Sequence, residues 1–204
     1  MKPIIIVLTL ILQHIISTAQ PSMLTATSRS MNPNIEVGDL LLVDEGYYST
    51  NPISRFDIVI FIYTENGLGI APPEGKFIAR VIALGGETVE IKDNRVLING
   101  KALREPYKTN PCIGKDEHFP CANFERVKVP EGKVFLLGDN RGDSLDSRLW
   151  SPPAISVNQV KGKVIKVVPK GRRNSHLATA CDRARNKRSY DASRGACEPG
   201  DEGR

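Results

Sequence analysis

The chain has 204 residues, 28 Lys and Arg against 23 Asp and Glu, and 40% apolar residues. That length suits one domain with a real core plus tails. Residues 170–204 hold nine Lys and Arg against five Asp and Glu, and the remainder holds nineteen against eighteen, so the basic balance gives no reason to expect a body that binds nucleic acid.

The chain opens with Lys2 and a run of Ile, Val and Leu from Ile4 to Ile16, broken at Gln13 and His14. A spanning helix wants about 20 apolar residues. A cleavable signal peptide wants a basic start, an apolar run of about 7–15 residues and small residues before the cut, which Ser17-Thr18-Ala19 would supply. Both readings of residues 1–19 stay open, and both export the body.

Next comes Ser28-Arg29-Ser30-Met31-Asn32-Pro33-Asn34-Ile35-Glu36-Val37-Gly38-Asp39. From there the pattern predicts strands: Leu40–Val43, Ile58–Tyr63, Phe77–Leu84, Thr88–Ile91, Arg95–Ile98, Val134–Leu137 and Val160–Val168. Asp93-Asn94 and Asn99-Gly100 mark tight reversals, so residues 87–103 read as successive hairpin strands. Residues 65–75 form a Gly/Pro-rich loop, and residues 104–130 read as irregular. Cys112 and Cys121 flank a short polar loop, a spacing that suits a disulfide in an exported protein. Free thiols, or zinc with His118, are the other readings, and zinc lacks a fourth ligand at usual spacing. Residues 169–204 are too polar to bury a core and read as a disordered basic tail, with Cys181 and Cys197 unassigned. A second polar cluster, Gly138-Asp139-Asn140-Arg141-Gly142-Asp143-Ser144-Leu145-Asp146-Ser147-Arg148, precedes Trp150.

The boxes Ser28–Asp39, Arg55–Phe61 and Gly138–Trp150 together resemble bacterial signal peptidase I, a Ser/Lys protease family that removes signal peptides from exported proteins. The resemblance covers roughly residues 1–168. Asn34 and Ile35 stand where the family has Thr and Leu, and Phe56 replaces a glycine. The resemblance implies a mainly β fold of short antiparallel strands (residues 20–168) behind an apolar N-terminal helix that stays as a membrane anchor. The body would be on the extracytoplasmic, periplasmic side. It implies Ser30 as nucleophile, Ser28 and the Ser30 N–H as oxyanion donors, Ser144 as a positioning serine, and Asp146 with Arg148 as a bracing ion pair. The partners would be signal peptides of exported preproteins and the membrane, with no metal or cofactor.

One box departs at its most important position. The family's base is a lysine on a strand, and the frame Phe77-Ile78-Ala79-Arg80-Val81 puts Ala79 there. A serine hydroxyl is a poor nucleophile until a base takes its proton. A lysine does this only when burial lowers its pKa. Losing such help typically costs ~10²–10⁴ in rate. Lys76 is the nearest substitute, but it belongs to the opposite strand face from residue 79, and Arg80 stays protonated. The sequence therefore points to a membrane-bound serine endopeptidase that cuts after small residues, with a non-catalytic signal-peptide-binding homologue as the alternative.

Overall fold

Short runs of Val, Ile and Leu bounded by turn residues form eleven strands among the residues that a computed structural model of the chain describes, 21–63, 75–113 and 122–172. In chain order they are β1 (Ser22–Thr25), β2 (Leu40–Asp44), β3 (Ile58–Ile62) and β4 (Lys76–Leu84), with a one-turn helix α1 (Tyr47–Thr50) between β2 and β3. They continue as β5 (Thr88–Lys92), β6 (Arg95–Ile98), β7 (Lys101–Ala102), β8 (Phe124–Lys128), β9 (Lys133–Leu137), β10 (Ile155–Ser156) and β11 (Val160–Val168). All seven predicted strands form, with ends shifted by one residue at most.

Three strands escaped the sequence reading, β1, β8 and β10, while β7 falls within the hairpin expected over residues 87–103. β8 corrects the expectation that residues 104–130 are irregular throughout. Its strand Phe-Glu-Arg-Val-Lys is mostly charged and exposed, so it lacks an apolar signal. It exists because its backbone pairs with β5. β1, β7 and β10 are only two to four residues long. The apolar segment 1–19, the loop at 65–74, His118, Cys121, Cys181, Cys197 and the basic tail beyond residue 172 lie outside the described residues. Among the described residues no helix is long and apolar enough to cross a membrane.

The strands form two sheets, one of seven in the order β1-β2-β11-β3-β4-β9-β10 and one of four in the order β7-β6-β5-β8. All strand pairs are antiparallel. Asp93 and Asn94 both take positive φ (48° and 65°), as do Asn99 and Gly100 (51° and 77°), which is what two-residue hairpin turns of the predicted kind require. Asn94 also ties this hairpin to Cys112: the Cys112 N–H donates to Asn94 Oδ1 at 2.9 Å. Cys112 is disulfide-bonded, and its partner sulfur lies outside the described residues.

Alternation along β3 and β4 divides the core. Ile60 and Ile78 turn to a cluster with Ala26, Met31, Ile35 and Leu41. Val59, Phe61, Ala79 and Val81 turn to the other face, with Leu136, Tyr63 and Trp150. Trp150 stacks on Tyr63 at 4.7 Å and meets Phe61 edge-on at 5.6 Å between ring centroids. A third cluster, around Ile82, Val89, Phe135 and Leu137, fills the space against the small sheet.

Candidate active site

The segment after β1 turns sharply through Ser28 to Ile35. The N–H groups of Asn34 and Ile35 both donate to the Met31 carbonyl at 3.0 Å. Met31 and Ile35, each 1% exposed, nail this turn into the core. The turn presents two serines whose hydroxyl oxygens lie 3.0 Å apart, with either able to donate. They line a groove of about 660 Å³ whose walls include Leu24–Thr27 on one side and Gly75–Ile78 on the other. Ser144 lines the same groove.

The second polar cluster is packed against this turn. The Asn140 N–H donates to the Ser30 carbonyl at 2.9 Å, and Asn140 Nδ2 donates to the Arg29 carbonyl at 3.0 Å. Gly138 touches both sides. A Cβ built on it would stand 2.2 Å from Ser144 Oγ and 2.5 Å from the Ser30 carbonyl oxygen. The Gly138 N–H donates to Asp146 Oδ2 at 3.0 Å. Asp146 in turn accepts two bonds from the Arg148 guanidinium, both at 2.8 Å. The side chains of this pair are 0% and 1% exposed, so each charge depends on the other.

A second buried fork escaped the sequence reading. Arg80 donates to both Asp139 oxygens, at 2.8 and 2.6 Å, and to the Phe56 carbonyl at 3.0 Å. Asn34 Nδ2 joins the same carboxylate at 2.8 Å and also donates to the Lys108 carbonyl. One carboxylate thus links β4, the serine turn and the stretch after β7. The Arg80 guanidinium also lies 3.8 Å above the Tyr107 ring. Burial, and then the hydrogen bond to Glu105, push the Tyr107 hydroxyl above its ordinary pKa. Glu105 is ion-paired with Arg141. The missed signal was the adjacency of Arg80 to position 79 and of Asp139 to Gly138, which a strand and a turn bring face to face.

The structure brings together Ser28, Ser30 and Ser144, with Asp146 and Arg148 beneath them. Ala79 is 2% exposed, in a core cluster against which groove-lining Phe77 packs, and is not itself among the groove-lining residues. Lys76 does line the groove, but its Nζ donates to Glu45 Oε1 at 3.1 Å. That bond, then one from Ser22 Oγ, holds the Glu45 carboxyl below its ordinary pKa. Asp143, the one carboxylate among the described groove-lining residues, is salt-bridged to Arg29 at 3.4 Å. No group of three or more metal-ligating side chains occurs among the described residues.

The geometry defines a pair of serine hydroxyls set in a groove of about 660 Å³. A family model described as "Signal peptidase, peptidase S26" matches residues 1–168, and the chain belongs to that family. The chain is 42% identical over 124 residues to signal peptidase I of Leptolyngbya laminosa, covering 60% of this chain and 57% of the relative. It is 39% identical over 127 residues to a probable signal peptidase I of Synechocystis sp., covering 60% and 59%. The chain thus spans less than two thirds of the length of these two relatives. A crystal structure of a signal peptidase I from Enterococcus faecalis aligns with a TM-score of 0.40 at 30% identity, covering 55% of this chain and 97% of that one.

Proposed function

We propose that this chain is a membrane-bound serine endopeptidase of signal peptidase I type, which removes signal peptides from exported preproteins by cutting after small residues. The observation that carries this reading is the Ser28–Ser30 hydroxyl pair, 3.0 Å apart beside an apolar groove. Ser30 Oγ is the nucleophile. Ser28 Oγ and the Ser30 N–H are the donors for the oxyanion that forms when the peptide carbonyl is attacked. Ser144 and the Asp146–Arg148 pair hold these groups in place. Residues 1–19 anchor the chain, and the body works on the extracytoplasmic side. At no more than ~3.5 Å per residue, the short link from residue 19 to Ser30 keeps the site at the membrane surface. The Cys112–Cys121 pairing is part of this reading, and it staples the loop between them.

A second reading, a homologue that binds signal peptides without cutting, is favoured by one specific observation. Among the described groove-lining residues Ser30 has no free proton acceptor: Lys76 is held by Glu45 and Asp143 by Arg29, and Ala79 carries none. A cleavage assay on a purified preprotein with an Ala-x-Ala site separates the two. It compares the wild-type chain with Ser30→Ala, Lys76→Ala and Asp143→Asn. Cutting that vanishes in Ser30→Ala supports the peptidase, and whichever acidic or basic variant also loses it names the base. Preprotein binding without any cutting selects the second reading.

A further inference from the structure

We propose that the groove is occupied, when no preprotein is present, by this chain's own segment Leu177-Ala178-Thr179-Ala180. The inference rests on the reading above in taking the groove as a site for an extended peptide with small side chains.

Two unpaired strand edges flank the groove. β1 is the end strand of its sheet and pairs only with β2. β4 pairs with β3 along its first half, but its pairing with β9 begins only at Arg80. Among the described residues, 76–79 therefore have no strand partner on the β9 side. Open edges of this kind take up an extended segment by backbone hydrogen bonding. The walls between them include apolar Leu24, Ala26, Ile60 and Ile78. An occupant that matches these walls is extended and uncharged, and the reading above asks for small side chains at alternate positions, which share one face of an extended chain.

The sequence after β11 contains one such stretch. Asn174 to Cys181 is its longest run without Lys, Arg, Asp or Glu, and Ala178 and Ala180 within it are two apart. Basic residues precede that run at Lys170, Arg172 and Arg173, and Asp182 and Arg183 follow it.

The point of departure suits this occupant. Val168 of β11 pairs with Leu40, which also pairs with Thr25 of β1. The Lys170 N–H donates to Asp39 Oδ1 at 3.0 Å, and the Asp39 carbonyl accepts from the N–H of groove-lining Ala26 at 2.9 Å. The chain thus leaves the sheet about two strand spacings, roughly 10 Å, from the groove wall. Lys170–Arg172 form a 3-10 turn, and Leu177 is five residues further on than Arg172, a reach of up to ~17 Å at ~3.3 Å per residue. A short linker of this kind gives an effective concentration on the order of 1 mM. A segment of weak intrinsic affinity, about 0.1 mM, would then reduce the affinity for an outside peptide about tenfold.

Hydrogen exchange of the full chain in detergent micelles tests this, with Ala178→Asp/Ala180→Asp as the comparison. The expected result is slow exchange at residues 22–28 and 75–79 in the wild type, lost in the double variant and independent of protein concentration. Equal exchange in the two proteins overturns the proposal. Protection that grows with protein concentration also overturns it, because a second copy's segment would then be the occupant. In parallel, a fluorescent preprotein peptide carrying Ala-x-Ala should bind the double variant about tenfold more tightly than the wild type. Edges released by the substitutions with no peptide bound to either protein would leave the docking standing and the signal-peptide reading fallen. Edges unchanged with equal peptide binding would do the reverse.

Discussion

Gly138 and Ser144 are in such close contact that a Cβ on the glycine would fall 2.2 Å from the serine hydroxyl, and 2.5 Å from the Ser30 carbonyl on its other side. Gly138 is therefore required for close approach and is not merely tolerated. Gly138→Ala must push the 138–148 turn away from the serine turn. Overpacking of this kind costs about 1–3 kcal/mol, which lowers Tm by about 2–4 °C per kcal/mol in a chain of this size. Calorimetry should show that fall, and preprotein binding or cutting should fall with it. An unchanged Tm would mean that the two turns are not in the tight contact described.

The Asp146–Arg148 pair makes a larger prediction. Both side chains are buried, and Asp146 also accepts from the Gly138 N–H. Removing either partner leaves a buried charge without its counterpart, which typically costs about 3–5 kcal/mol. Arg148→Ala and Asp146→Ala should each lower the urea midpoint by amounts in that range. The double variant should cost much less than the sum, since it leaves no lone charge. Additive losses would mean that the two groups act independently.

Much of this arrangement could be read from the sequence, for physical reasons. β2 to β6, β9 and β11 carry β-branched runs bounded by turn residues, and burial on at least one face imposes that pattern. β8 carries no such pattern, because its charged side chains face solvent and only its backbone is held. The serine turn and the Asp139–Arg148 cluster could be recognised as motifs, but their contact could not. Asn140 reaches the Ser30 carbonyl across 110 residues of chain, and no local periodicity encodes such a pairing. The Arg80–Asp139 fork was hidden in the same way, although each residue sits next to a position already singled out. Strand alternation puts Lys76 on the opposite face from residue 79. In the structure Lys76 lies on the groove wall together with Phe77 and Ile78, and its amine is held by Glu45.

That tether gives a pH prediction. Hydrogen bonds from Lys76 and Ser22 hold the Glu45 carboxyl below its ordinary value of 4.5. A carboxyl whose folded pKa is depressed contributes stability above its unfolded pKa, and that contribution is lost as pH falls through the folded value. Wild type should therefore exceed Glu45→Gln in urea midpoint at pH 6–7, and the difference should close below about pH 4.5. Both side chains are about half exposed, so added salt should also shrink it. A difference that persists at pH 3 would assign the effect to something other than this ion pair.

The last prediction concerns position 79. Ala79→Lys would introduce a four-carbon stem and an amine into a cluster that contains Phe61, Leu136 and Trp150. Adding atoms there strains the packing by about 1–3 kcal/mol, and desolvation disfavours the charged amine, lowering its pKa. A lowered pKa is what a lysine needs to accept the Ser30 proton near neutral pH. Cleavage should therefore rise by about 10²–10⁴ over the wild-type chain. It should also rise with pH through the lysine's depressed pKa, because only the neutral amine accepts a proton. Ala79→Met is the control, since it has a stem of similar length and no base. It should share the loss of stability and gain no rate. Equal rates in Ala79→Lys and Ala79→Met would mean that a lysine on this strand does not reach Ser30, so the missing proton acceptor would have to be sought elsewhere in the fold.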